Sequence, residues 1–134
     1  MVNAENFLKS GKAEKIKKDT ILYNVDDISN LNAVYYIKKG KASLEYIKSD
    51  GSVFKIILQE GDLIGLPEVY TNMQRITKAS AITDMECQVW DKASFLVEAA
   101  SIWELSIYTI KSLSNILKIL NAEFANEQNL NINK

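Results

Sequence analysis

The residue pattern changes at Asp91, and this change constrains the fold of the chain more than any other feature. Before it, from about Ala13 to Trp90, apolar segments are short and separated by turn residues. From Asp91 onward there is no glycine or proline, and apolar residues recur at helical spacing. A chain of 134 residues is the usual size of one domain with a substantial core. We therefore predict a single, mainly β domain with C-terminal helices.

The first part of the chain predicts a series of short strands. Turn signals such as Ser49-Asp50-Gly51 and Glu60-Gly61-Asp62 separate its apolar or alternating segments. The segments recur roughly every 8–12 residues, a spacing typical of a sandwich, roll or barrel and not of βαβ units. The predicted strands cover residues 21–23, 33–37, 42–47, 53–58, 63–65, 78–82 and 86–90.

The second part predicts two helices. Asp91 is suited to cap a short helix that contains Phe95 and Leu96. The following helix carries apolar residues at spacings of 7, 3, 4, 3 and 4, typical of the seam between two paired helices. That seam consists of Trp103, Ile110, Leu113, Leu117, Leu120 and Phe124.

A second apolar stripe on the same helix comprises Ile102, Leu105, Ile116 and Ile119. Either this stripe covers the β unit and the seam binds a partner helix, or both form one wide face packed on the helix's own domain. The polar, asparagine-rich end predicts a frayed tail. The predicted parts are thus residues 1–90, the β unit; 91–125, the helices; and 126–134, the tail.

Composition excludes several classes of function. Histidine is absent, which excludes Ser-His and Cys-His nucleophile pairs, and also the histidine metal ligands on which cupin-type enzymes usually depend. Cys87 is the one cysteine, so we predict no internal disulfide and no cysteine-based metal cluster. No residue of the chain is predicted to be catalytic. The start of the chain lacks an apolar leader and no apolar run could span a membrane, so the prediction is a cytoplasmic protein. A net charge of −1 with dispersed signs predicts no nucleic-acid-binding face on this chain.

The order of turn signals resembles a known family. Five features, taken in order along the chain, resemble the cyclic nucleotide-binding domain. They are the segment Tyr35 to Ala42, the turn Ser49-Asp50-Gly51, the segment Gly61 to Gly65, Arg75 and Ala79-Ser80-Ala81. More narrowly, they are similar to the sensor half of Crp/Fnr (cyclic-AMP receptor protein) transcription regulators. The resemblance implies an eight-stranded antiparallel β-roll, a jelly-roll-like double-stranded β-helix, followed by a short helix and a long helix that forms a homodimer. Two glycines usual in the family's turns are missing, at Asp19 and near Val25-Asp26.

The resemblance also implies a ligand pocket. Gly65 matches a glycine that lets backbone amides approach a cyclic phosphate, and Arg75 matches the arginine that binds it through a planar fork. The usual ribose-binding glutamate is replaced by Leu66, with Glu68 two residues later. Ile76 occupies the place of a phosphate-binding hydroxyl, with Thr77 next to it. On the long helix, the polar candidates for contact with a base are Thr109, Ser112, Ser114 and Asn115.

Arg75 is the only arginine among sixteen basic residues, so lysine is the default cation of this chain. An arginine at the phosphate position therefore favours a binding role over a generic surface charge. The first hypothesis is a sensor of a cyclic nucleotide such as cyclic AMP, or of another small anion, acting on DNA only through a helix-turn-helix domain absent from this chain. The alternative is a degenerate roll that binds no nucleotide and serves as a dimerisation or protein-interaction module.

Overall fold

The computed structural model describes residues 11–27, 33–71 and 75–132, with the side chains of 68, 70, 71 and 127–132 outside the description. Over these ranges the chain forms eight strands and three helices, which confirms the predicted mainly β fold with C-terminal helices. The strands are β1 (Lys12–Ile16), β2 (Ile21–Tyr23), β3 (Ala33–Lys39), β4 (Ala42–Ile47), β5 (Val53–Leu58), β6 (Leu63–Ile64), β7 (Thr77–Ala81) and β8 (Met85–Asp91). The helices are α1 (Leu66–Thr71), α2 (Lys92–Ser101) and α3 (Trp103–Ile132).

The strands form two four-stranded antiparallel sheets. Their orders are β1-β8-β3-β6 and β2-β7-β4-β5, so each sheet joins early strands to late ones. The pairing of β1 with β8 runs from Lys12 opposite Val89 to Ile16 opposite Met85. Side chains of alternate residues point between the sheets and form a first core cluster, which includes Tyr35, Ile37, Leu44 and Cys87.

Aspartates occupy the two turns in which the family resemblance predicts glycine. Asp19 has a φ of 71° and Asp26 a φ of 65°, both in the left-handed region. Aspartate tolerates this region better than most residues because its short side chain can bond to nearby backbone. Aspartate in place of glycine therefore preserves the left-handed backbone conformation of these two turns.

The outer face of the first sheet carries the helices. Val34 and Tyr36 alternate with inward-facing residues of β3 and join Trp90, Phe95 and Leu105 in a second core cluster. The rings of Trp90 and Phe95 meet edge to face with centroids 5.8 Å apart, an arrangement that aromatic pairs prefer. The first half of α3 is thereby packed on this sheet.

The ends of the helices confirm one prediction and correct another. The Asp91 carboxylate accepts a hydrogen bond from the Ser94 amide at 2.7 Å, so the predicted N-cap of α2 is confirmed. The predicted end of the helices at residue 125 is corrected, because α3 continues to Ile132. Fraying of residues 126–134 stays a prediction, and residues 133 and 134 lie outside the described part of the structure. The segment contains no glycine or proline, and its asparagines lower helix propensity without ending the helix.

Candidate functional site

Arg75 lies in the interior of the domain, two residues before the start of β7. Its guanidinium donates to two backbone carbonyls: Nη1 to Gly65 O at 3.2 Å and Nη2 to Ala33 O at 2.8 Å. The ring of Tyr23 covers the guanidinium, with its centroid 4.0 Å from Cζ. Arg75 is the one charged side chain among the buried residues that the structure describes. The arginine that the sequence singles out is therefore a buried cation beside the predicted glycine.

Gly65 permits this arrangement. It follows β6, directly precedes α1, and has a φ of 96°. A Cβ at this position would lie 2.7 Å from Ala33 O and 2.8 Å from Nη1 of Arg75. The loop can approach the arginine this closely only because residue 65 has no side chain.

We expect Gly65→Ala to lower the free energy of unfolding by about 2–4 kcal/mol, from left-handed strain plus the clash with Arg75 and Ala33. Gly61→Ala is the matched control: its φ is 91°, yet nothing lies within 4 Å of the added methyl group. Urea unfolding of both variants separates the clash from the strain. Equal losses in the two variants would contradict the close packing of Arg75 on Gly65.

Next to the arginine lies a very small cavity. Its volume is about 10 Å³, and its wall is formed by Tyr23, Leu44, Tyr46, Gly65, Pro67, Ile76, Thr77 and Ile116. This is about the space of one water molecule, whereas ligand pockets usually measure several hundred Å³. No buried side-chain nitrogen or oxygen in the described ranges lacks a hydrogen-bond partner. The site is therefore closed and internally satisfied.

The long helix contributes to this wall through Ile116, which is buried and belongs to the first core cluster. Ile119 and Leu120, about one turn further along, pack partly against the same cluster. The segment of α3 from Ile116 to Leu120 thus packs on the first core cluster, and Ile116 shares the cavity wall with residues that contact Arg75.

Of the four predicted ligand-binding residues, two line the cavity, while Arg75 lies behind its wall in contact with Gly65 and Tyr23. Gly65 and Thr77 line the cavity, and the Thr77 hydroxyl donates to the Tyr23 hydroxyl at 3.5 Å. Leu66, at the usual ribose-binding position, is buried in the second core cluster. Glu68 lies in α1 with its side chain outside the described part of the structure.

None of the polar residues that the sequence offers on α3 lines the cavity. Thr109 and Ser112 are buried, and the Thr109 hydroxyl donates to Leu105 O at 2.8 Å within the helix. Ser114 and Asn115 are exposed. The residue of α3 that reaches the cavity is Ile116, for which the sequence predicts only a place in an apolar stripe.

Tyr23 and Tyr46 are further wall residues that sequence reasoning missed. Tyr46 follows the buried Leu44 by two positions on β4, so strand alternation was a signal for it in the sequence. Tyr23 follows Leu22, which is also buried, so alternation does not single it out. Nearby, burial raises the pKa of Tyr35, the charge of Glu14 raises it further, and the charge of Arg75 acts in the opposite direction.

The residues of the predicted helix seam differ in their exposure. Four of its six residues, spaced by seven positions, are between 58% and 66% exposed: Trp103, Ile110, Leu117 and Phe124. Leu113 packs partly against the second core cluster and Leu120 against the first. Because 3.6 residues complete a turn, these two leucines lie between the exposed stripe and the face that packs on the domain. The interpretation with two distinct stripes is thus favoured over a single wide face.

Two absences hold for the described ranges. No helix there has the length and apolar character needed to cross a membrane. In the same ranges, no three acidic, cysteine or histidine residues are grouped closely enough to hold a metal ion.

Comparison with known proteins adds three findings. A family model described as "Cyclic nucleotide-binding domain" matches residues 13–101. No curated protein sequence matches the chain. Among solved structures, the chain is similar to the Catabolite Activator Protein of Thermus thermophilus, with a TM-score of 0.74 and 17% identity, over 92% of this chain and 58% of that one.

Two further structures are similar. A mutant of CooA from Carboxydothermus hydrogenoformans has a TM-score of 0.71 and 21% identity, over 93% of this chain and 80% of that one. A transcriptional regulator from Thermotoga maritima has a TM-score of 0.68 and 17% identity, over 91% and 95% of the two chains. These likenesses show the fold, and the chain spans only 58% of the Thermus protein's length.

Proposed function

The chain belongs to the cyclic nucleotide-binding domain family, and we propose that it is the ligand-sensing domain of a Crp/Fnr-type transcription regulator. It binds a cyclic nucleotide or another small anion at Arg75 and relays binding through α3. One observation carries this proposal: Tyr23 and Gly65, which contact Arg75, share a cavity wall with Ile116 of α3. This shared wall supports a relay in which a ligand at the arginine displaces Ile116 and with it the helix.

The size of the cavity supports this coupling. A nucleotide needs a pocket of several hundred Å³, while the space beside Arg75 is about 10 Å³. Room for a ligand arises when part of the wall moves, and Ile116 is the wall residue supplied by α3. A ligand that binds the opened form shifts the population toward it by its difference in affinity for the two forms. Occupancy is thereby converted into a helix position.

The chemistry of the wall supports an anionic ligand. The Arg75 guanidinium would exchange the carbonyls of Gly65 and Ala33 for two oxygens of the anion, which are stronger acceptors because they are charged. The hydroxyl of Thr77 lies on the same wall. Leu66 offers no carboxylate for a ribose hydroxyl, so we expect weak discrimination for or against a ribose.

The exposed stripe of α3 supports a homodimer, because four large apolar side chains on one helix face favour burial against a second copy. In a dimer, a change in helix position would reach both copies. Action on DNA would require a helix-turn-helix domain in addition to this chain. This is a regulatory role in the cytoplasm, without catalysis.

A second candidate function rests on the closed site itself. Because Arg75 donates to protein carbonyls and the cavity holds about one water, the roll is also suited to work without a ligand. It would then serve as a dimerisation or protein-interaction module, and Arg75 would be a purely structural cation.

Calorimetric titration separates the two candidates. The wild-type chain is titrated with cyclic AMP, cyclic GMP and inorganic phosphate, beside Arg75→Lys, which keeps the charge and loses the planar fork. The sensor proposal predicts one site per chain for at least one of these ligands, weakened at least about tenfold by Arg75→Lys. Absence of heat up to millimolar concentration for all three would overturn it in favour of the ligand-free module.

A further inference from the structure

An ion pair joins the β4–β5 hairpin to the second half of α3. The Lys48 ammonium directly contacts the Glu123 carboxylate, across 75 positions of sequence. The two side chains are 26% and 28% exposed, so the contact is largely shielded from solvent. The Lys48 nitrogen also lies 5.7 Å from the centroid of the Phe54 ring.

The hairpin holds Lys48 in a defined position. The Lys48 amide donates to Ser52 O at 2.8 Å, and the Gly51 amide donates to Lys48 O at 2.9 Å. The Asp50 carboxylate accepts a hydrogen bond from the Ser52 amide at 2.8 Å and closes the turn. A lysine on such a rigid turn loses less conformational freedom on pairing than one on a flexible loop.

Glu123 lies on the same face of α3 as the cavity residue. It follows Ile116 by seven residues, or about two helical turns, and Ile119 and Leu120 between them pack on the first core cluster. The ion pair therefore fixes the C-terminal end of the α3 segment 116–123, which packs on the first core cluster.

We propose that Lys48 and Glu123 form an autoinhibitory clasp, which holds the α3 segment 116–123 on the first core cluster and keeps Ile116 in the cavity wall. Release of the clasp lets this segment move and opens the space beside Arg75. The consequence for ligand binding rests on the proposed function, whereas the clasp itself can be tested without any ligand.

Two other ion pairs in the described ranges differ in what they connect. Lys39 pairs with Glu86 at 3.5 Å, and Lys55 with Glu45 at 3.4 Å. Each joins neighbouring strands of one sheet, so neither restrains a helix. Lys39 and Glu86 are also 73% and 41% exposed, and such surface pairs contribute little. They are natural controls.

Cys87 is a probe of opening already present in the chain. It is fully buried in the core cluster that contains Ile116, and burial raises the pKa of its thiol to about 11. A thiol reagent labels it only when the cluster opens. Because the chain has one cysteine, the labelling rate reports this position alone.

The test compares labelling rates of the full chain without ligand. Lys48→Met and Glu123→Gln are each expected to raise the rate about fivefold, the size expected for losing one partly shielded ion pair. The exchanged double variant, Lys48→Glu with Glu123→Lys, should return toward the wild-type rate. Lys39→Met and Glu86→Gln should leave it unchanged. Wild-type rates in the clasp variants, or equal acceleration in the control variants, would overturn the clasp.

Hydrogen exchange distinguishes local release from general destabilisation. The clasp predicts faster exchange for amides 116–123 in Lys48→Met and unchanged exchange for amides 105–112, which precede the clasped segment. Uniform acceleration along α3 would contradict it. If the wild-type chain binds a ligand but the clasp variants label Cys87 at the wild-type rate, only the clasp is overturned. If the clasp variants label faster but the wild-type chain binds none of the titrated ligands, the clasp is supported and the sensor proposal is overturned.

Discussion

Arg75→Ala is expected to lower the free energy of unfolding by about 3–5 kcal/mol and to abolish ligand binding. The substitution removes the hydrogen bonds to Gly65 O, which is buried, and to Ala33 O, which is partly buried, and leaves both carbonyls without this donor. It also removes the cation that packs on the ring of Tyr23. Chemical denaturation with urea measures the loss of stability.

Two variants make the Arg75 result specific. Arg75→Lys keeps the charge but cannot place two fixed donors on two carbonyls, so we expect roughly half of the loss. Lys39→Ala removes an exposed cation and should change stability by less than about 0.5 kcal/mol. A loss below about 1 kcal/mol for Arg75→Ala would mean that the buried guanidinium does not hold the Gly65 loop.

Leu117→Glu is expected to weaken the proposed homodimer at least about a hundredfold, because it places one carboxylate from each copy in an apolar interface. Leu117 is 58% exposed and central in the stripe of Trp103, Ile110 and Phe124. The stability of the single chain should hardly change, since the side chain packs little on its own domain. Analytical ultracentrifugation over a concentration series measures the dimer.

Asn115→Glu is the matched control for the dimer. Asn115 is exposed and lies two positions before Leu117, a rotation of about 200° around the helix, so the same charge is added away from the stripe. Dimer affinity should be unchanged in this variant. If Leu117→Glu and Asn115→Glu sediment alike, the exposed stripe is not the interface.

The fold was largely predictable because local patterns determine its parts. Turn residues such as Gly51 separate segments that pair as strands, and Asp91 caps the helix that follows the roll. Gly65 and Arg75 were also predictable as neighbours, since the family resemblance places both at one site. In each case the residue type suits a local need: glycine for a left-handed backbone, aspartate for capping helix amides, and arginine for a buried positive charge.

The closed state of the site was not predictable in the same way. Ile116 in the cavity wall and the contact between Lys48 and Glu123 both depend on how α3 lies on the roll, and helical periodicity does not determine this placement. The partial burial of Leu113 and Leu120 against the two core clusters depends on the same placement. The 10 Å³ volume follows from the packing of seven side chains and Gly65, which come from separate elements.

Hydrogen exchange of the full chain, with and without saturating cyclic AMP, tests most directly whether occupancy at Arg75 moves α3. We expect slower exchange from Gly65 to Thr71, where the ligand binds, and faster exchange around Ile116, where the helix leaves the cavity wall. Calorimetrically detected binding with unchanged exchange in α3 would contradict this expectation.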